Sequence, residues 1–311
     1  MSEFPPSPFN TLAGGEAVES PYLKIDEAYE RAVELFAEKE IKPKRFRGIR
    51  GYSDSEIKVD SEKAQSLKEK YGQSINTSKM LANILEAVVL EGGKPEGGKL
   101  EDVNRNLWFG MQSKVIKTAP FDDYVNHIDM VVETEVANEE FSHLALGVDV
   151  TFSGDQQDKF KTIRANMDEG KLDQVKYFLS ERPDPIRTDR KSMTFAGPLN
   201  NIPRVVIGSE IERVKELAFL WMNKKYKELR EHPVQRLILR EIALQLKTFA
   251  PYARSIGKED LAIVIEKELK IIEGVMKEKR EGGIGTIEHD KVFEEIKRNL
   301  AMFAVPGAMK G

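Results

Sequence analysis

The sequence predicts an α/β protein, a small sheet set among helices and extended at both ends by further helices. Three observations carry this. Met80, Leu81, Ile84, Leu85, Val88 and Val89 recur at helical spacing along one stripe. The period then falls from 3.6 to 2 in SKVIKTA, YVNHIDMVVETE and LALGVDVTF. After residue 210 it returns to 3.6. The order helix, three strands, helix, two strands, then helices is that of an α/β core with helical additions.

The elements follow in order. Residues 1–20 hold Pro, Gly and Ser without periodicity and read as a flexible arm. Residues 21–75 form a helical extension: YLKIDEAYERAVELFAEK is amphipathic, IKPKRFRGIRGY is a basic loop, and SEKAQSLKEKYG is a short polar helix. Residues 76–210 form the core. Its first helix, NTSKMLANILEAVVLE, stops at Gly92-Gly93, and the three strands follow a Gly-rich loop. QDKFKTIRANMDEG is a helix, and QVKYFLS and RVVIGS are two more strands. Residues 211–304 are helical. Ser209 and Glu212 have capping-box spacing before IERVKELAFLWMNKKYKEL, and VQRLILREIALQLKTFA, LAIVIEKELKIIEGVMKEK and KVFEEIKRNLAMFA follow. Residues 305–311 read as a frayed tail.

Composition narrows the chemistry. With 311 residues, 40% hydrophobic and 32% charged, the chain is long and apolar enough to bury an enzyme's core. No window approaches the roughly 18 continuous apolar residues of a membrane span. The N-terminus lacks a basic start and apolar middle, which with zero cysteines points to a cytoplasmic protein. The same zero excludes disulfides, thiol nucleophiles and Cys-based metal sites. Four histidines, none at i, i+4 spacing, do not make a histidine metal cage. GxSxG, Walker A and GxGxxG patterns are missing. The net charge of −4 makes any attraction for nucleic acid local. The densest basic run places Lys42, Lys44, Arg45, Arg47 and Arg50 among Phe46 and Tyr52, which suits phosphate contact and base stacking as well as it suits a solvated linker.

The chemistry centres on Asp149, a carboxylate between valines in an apolar strand. An ionised Asp in a dry interior costs several kcal/mol unless paired. If the second and third strands form a hairpin centred near Asn138 or Glu139, centring on Glu139 places Asp129 across from Asp149. One face then carries Ile128, Met130, Val132, Leu146, Val148 and Val150, and the other carries His127, Asp129, Val131, Gly147, Asp149 and Thr151. Carboxylates facing each other at about 5 Å between Cβ atoms repel, so the pair needs a cation or a shared proton. Mg²⁺ or Mn²⁺ answers this best. His127 shares that face, where it could contact phosphate or act as a base, though a lone histidine beside a hairpin also serves structure. Asp122, Asp123 and Asn126 read as a turn, Asp123 as a possible partner behind the metal ligands, and Glu133 as an exposed strand residue.

HIDMVVE, then GVDVTF, then a helix and VKYFLS resembles the PD-(D/E)XK nuclease superfamily, whose fold is that of restriction endonucleases, over residues 76–210. The resemblance implies an α-β-β-β-α-β core in which Asp129 and Asp149 bind Mg²⁺ or Mn²⁺ and the Val150 carbonyl completes the ligands. Thr151 stands where the motif has a lysine. A threonine hydroxyl binds water but supplies no positive charge, so Lys159 or Lys161 on the following helix is the substitute the resemblance suggests. It also points to a glutamate on the first helix. Glu86 fits by position, whereas the helical wheel puts Glu86 about 150° and Glu91 about 70° from the centre of the apolar stripe.

The expectation is therefore a metal-dependent nuclease acting on nucleic acid, with DNA favoured over RNA and a homodimer contact available on the C-terminal helices. Two alternatives compete: a catalytically inactive member of the same fold that binds nucleic acid or serves as a scaffold, and a helical protein-interaction module whose acidic pair is structural.

Overall fold

The computed structural model describes residues 25–72, 76–91, 107–136, 141–149, 155–183 and 192–304. Among them, three helices precede the sheet: α1 (Ile25–Lys39), α2 (Asp54–Gly72) and α3 (Thr77–Glu91). Strand β1 (Ser113–Lys117) leads through the short helix α4 (Pro120–Tyr124) to β2 (Met130–Glu135) and β3 (Phe141–Asp149). Helix α5 (Asp155–Asp168), strands β4 (Asp173–Pro183) and β5 (Ser192–Ile202), and strand β6 (Arg204–Gly208) complete the α/β part. Helices α6 (Ile211–Met222), α7 (Tyr226–Glu231), α8 (Val234–Ser255), α9 (Glu259–Glu281) and α10 (Lys291–Leu300) follow.

The main sheet has the order β1-β2-β3-β6, antiparallel except for the parallel β3–β6 pair. VKYFLS does not enter this sheet. It pairs as β4 with β5 in a separate two-stranded ribbon, and RVVIG takes the place beside β3. In the β2–β3 hairpin Met130 stands opposite Leu146, not Val148, so the turn centres on Asn138 and the register moves by two residues. An even shift keeps the faces.

One face of the sheet, with Met130, Val132, Leu144 and Val205, packs into a continuous core shared by α1, α3, α5, α6 and α8. The other face, with Val131 and Ala145, lies under Val175, Phe178, Leu199 and Ile202 of the ribbon. Ile128 belongs to this second cluster and not to the first face, because His127, at φ 56, turns the chain before β2 and breaks the alternation. The ribbon also covers Glu133, which is 1% exposed and bonded to His143 Nε2 at 3.0 Å and to Ser180 Oγ, not solvated.

Helix α8 seals the outer edge of β6. Gln245 accepts from Val206 N at 2.8 Å and donates to Val206 O at 2.6 Å, while Glu241 accepts from Gly208 N at 3.0 Å. An open strand edge invites pairing with another chain, and these side chains take its hydrogen bonds.

Two local expectations change. Ser209 gives its hydroxyl to Asp290 at 3.1 Å, so no capping box forms and Glu210 is the N-cap of α6. The helix expected over IERVKELAFLWMNKKYKEL breaks at Asn223 and Lys224, the latter at φ 55, into α6 and α7. Among the described residues no helix is long and apolar enough to cross a membrane.

Candidate functional site

The site forms where four elements meet at the start of β2. Lys117 ends β1 with its side chain 3% exposed. Its Nζ lies 2.7 Å from Glu86 Oε1 on α3 and 2.5 Å from Asp123 Oδ2 on α4. It also donates to Asp129 O at 3.2 Å. Thr118 gives the same carbonyl its backbone N–H at 3.3 Å and gives its hydroxyl to the neighbouring Ile128 O at 2.6 Å. The segment carrying Asp129 is thus pinned to β1 by three donors.

Helix α4 is fixed independently. Asp122 accepts from the backbone N–H groups of Lys176 and Tyr177 at 2.7 and 2.9 Å and from Asn126 Nδ2 at 2.7 Å. Burial pushes its carboxyl up to about 6 against these donors. The FDDYVN stretch is therefore a helix and turn locked to the ribbon, and Asp123 leaves it toward Lys117.

Burial raises the Glu86 carboxyl to about 8, with Lys117 opposing and Asp129 and Asp123 adding to the rise. Burial by itself would lower the Lys117 ammonium, yet Asp123, Glu86 and Asp129 hold it well above its ordinary value. The result is a permanent buried cation among three carboxyl groups. Glu86 Oε1, despite its nearness to Lys117, is buried without a hydrogen bond of good geometry.

Of the two glutamates on α3, Glu86 reaches the site and Glu91 does not. Glu91 accepts from Trp221 Nε1 at 3.0 Å and lies 3.8 Å from Arg31. The helical wheel misleads here because α3 is covered nearly all round, with every residue from Ile84 to Leu90 buried.

The backbone of Asp149 pairs with Gly208 at the end of β3. With Met130 opposite Leu146, Asp149 lies further along β3 than the expected position facing Asp129. The Asp149 side chain, Val150 and Thr151 lie outside the described residues. Among the described residues, no three His, Asp or Glu side chains are grouped as a metal site.

The two lysines of α5 differ. Lys161 is solvated and pairs with Asp158 at 2.8 Å. Lys159 is half-buried, and its carbonyl accepts from Arg204 Nη2 at 3.5 Å. His127 is exposed on one side, and partial burial, Arg204 and Lys159 together lower its imidazole, with Asp129 opposing.

The basic loop divides between surface and core. Lys44, Arg45, Arg47 and Arg50 are exposed, but Lys42 turns back to Ala37 O at 2.9 Å and to Glu40. Phe46 is fully buried and packs on Tyr52 and Tyr177 with ring centroids 4.9 and 5.2 Å away. Tyr52 donates to Lys176 O at 2.5 Å. These aromatics anchor the loop to the ribbon and leave none for base stacking.

Sequence reasoning missed Lys117 and Arg204. The available signal was a charge at the end of each apolar strand, VIK and RVVIG. A comparison of the chain with models of known protein families, with curated proteins and with solved structures finds no match.

Proposed function

We propose that the chain is a metal-dependent nuclease of restriction-endonuclease-like architecture, hydrolysing phosphodiester bonds of nucleic acid with Mg²⁺ or Mn²⁺ at Asp129 and Asp149. The supporting observation is the convergence of Glu86, Lys117, Asp123 and Asp129 at the start of β2. The α/β arrangement in which α3, β1, β2, β3 and α5 precede β6, parallel to β3, supports the reading, with the β4–β5 ribbon inserted between α5 and β6.

The donors fit a hard divalent ion in type: they are carboxylate oxygens, and the buried Glu86 Oε1 has the Lys117 ammonium at 2.7 Å as its partner. Asp129, Asp149 and Glu86 would hold the ion, with the Val150 carbonyl beside them. When bound, Mg²⁺ polarises the scissile phosphate and lowers the pKa of the attacking water. The protein's own residues do the rest. Lys117 holds Asp129's main chain and offsets the charge of Glu86 and Asp123, a cation on β1 where the motif position carries Thr151. Lys159 offsets charge on the transferring phosphate from the α5 side.

The experiment is cleavage of plasmid DNA and of RNA with Mg²⁺ or Mn²⁺, comparing the native chain with Asp129→Asn and Asp149→Asn. The expected result is metal-dependent cleavage that falls by two or more orders of magnitude in each variant. Undiminished cleavage in both variants overturns the reading.

A second reading has one specific observation behind it. The Lys117 ammonium already sits between Glu86 and Asp123, where it competes with a metal ion for their charge. That favours a catalytically inactive member of the fold, which would bind nucleic acid in a salt-sensitive way without cutting it.

A further inference from the structure

An open cleft of about 450 Å³ lies between the basic loop and the start of α2. Three cations line it, Lys44 and Arg47 from the loop and Lys58 from the helix. Asp54 and Glu62 line it as well. On α2, residues 54, 58 and 62 recur every fourth position, so one face of the helix is turned to the loop.

The cleft is built in advance. Phe46 of the loop and Ile57 of α2 are both buried in one apolar cluster beneath it. Gly48 at φ 78 and Gly51 at φ 97 take the left-handed turns that bring the chain back to the helix. Little ordering is left for a ligand to drive.

Its cations are only loosely engaged. No described residue takes a hydrogen bond or ion pair from the Lys44 ammonium, in contrast to Lys42, which is held by Ala37 O and Glu40. Arg47 Nε stands 3.7 Å from Asp54 Oδ1 and Lys58 Nζ 3.8 Å from Glu62 Oε1. Both distances are too long for a hydrogen bond. Exposed pairs of this kind contribute little, whereas ammonium and guanidinium groups bind phosphate through short, charge-assisted bonds.

The carboxylates of Asp54 and Glu62 disfavour a ligand that is anionic throughout, and they accept hydrogen bonds from hydroxyl groups. A phosphate on a hydroxyl-bearing body satisfies both signs of charge. The volume lies in the range of small-molecule sites, and the residues lining it include no aromatic ring on which a base could stack. We propose that this cleft binds a sugar phosphate, free or as one unit of an RNA strand. Lys44, Arg47 and Lys58 hold the phosphate, and Asp54 and Glu62 accept from the sugar hydroxyls. The site stands on the loop and α2 alone and does not rest on the nuclease reading.

The test is calorimetric titration of the full chain, at low salt in EDTA, with ribose 5-phosphate, ribose and inorganic phosphate. Ribose 5-phosphate should bind, and more tightly than either of its parts. Lys44→Ala and Lys58→Ala replace exposed side chains, and each should weaken binding roughly tenfold, the size of one charge-assisted hydrogen bond. Arg50→Ala removes an exposed cation of the same loop that does not line the cleft, and should leave binding unchanged. A short oligouridylate that displaces ribose 5-phosphate assigns the cleft to a strand, and one that does not assigns it to the free sugar phosphate. Absence of ribose 5-phosphate binding, or an equal loss from Arg50→Ala, overturns the site. Ribose 5-phosphate held no more tightly than inorganic phosphate overturns the part given to the carboxylates.

Discussion

The Lys117 ammonium is buried with Glu86 and Asp123 within 2.7 Å, so its removal strands the buried Glu86 carboxyl without its cation. Breaking such a pair from one side costs about 3–5 kcal/mol. Lys117→Met should therefore lower unfolding stability in urea by that amount, and adding Glu86→Gln should restore part of it. A loss below about 1 kcal/mol would mean that the cluster is wetter than its burial indicates. None of this pairing is legible in the sequence, because Lys117 meets its partners only after α3 and α4 fold onto β1. Asp129 was legible as a candidate, since a carboxylate beside an apolar strand stands out without knowledge of its neighbours. A second buried acid, Glu268 on α9, makes a pH prediction. Burial raises it to about 7 although the Ser142 hydroxyl it bonds opposes the rise. A carboxyl raised in the folded state holds its proton longer than in the unfolded chain. Its stabilising contribution is complete below its ordinary value of 4.5 and is lost as pH climbs through about 7. Glu268→Gln should flatten the fall in stability between those pH values, as read from melting temperatures across the range.

At the level of elements, period and composition revealed the segments that carry a helical stripe, an alternation or an apolar run and hid the one that carries none. The C-terminal helices were readable from their stripes, and β1, β2, β3 and β6 from alternation or apolar runs. Strand β5 was not, since SMTFAGPLNNI carries Gly, Pro and two Asn, residues depleted in strands. It exists because β4 pairs with it and Leu199 and Ile202 lie on the sheet. Helix α8 makes the clearest test of tertiary support. Gln245 satisfies both the N–H and the C=O of Val206 at the sheet's edge. Gln245→Leu keeps the helix but leaves two buried backbone groups unpaired, at about 1–3 kcal/mol each. Amide hydrogen exchange at Val206 and Gly208 should accelerate while that of β1 rises only with the global loss of stability. Equal acceleration throughout the sheet would show that α8 does not guard this edge individually.

Across the whole molecule, a chain of net charge −4 can hold a polyanion only through a local concentration of positive charge. Lys44, Arg45, Arg47 and Arg50 are exposed on a loop whose aromatic roots, Phe46 and Tyr52, are packed against Tyr177. The backbone N–H of Tyr177 is in turn bonded to Asp122 on α4, the helix that carries Asp123 into the site. The loop is thus a rigid shelf joined to the site's own scaffold. If nucleic acid lies along it, each lost phosphate contact should reduce the slope of log affinity against log salt by about 0.7–0.9. Replacing the four exposed residues with alanine should weaken binding uniformly across sequences and flatten that slope by up to about 3.6. Lys42→Ala, whose ammonium is spent on Ala37 and Glu40, should leave the slope unchanged. With Phe46 in the core and no base stacking from the loop, the contact is electrostatic, so homopolymers of different base should bind alike. A preference that survives high salt would place recognition elsewhere on the molecule.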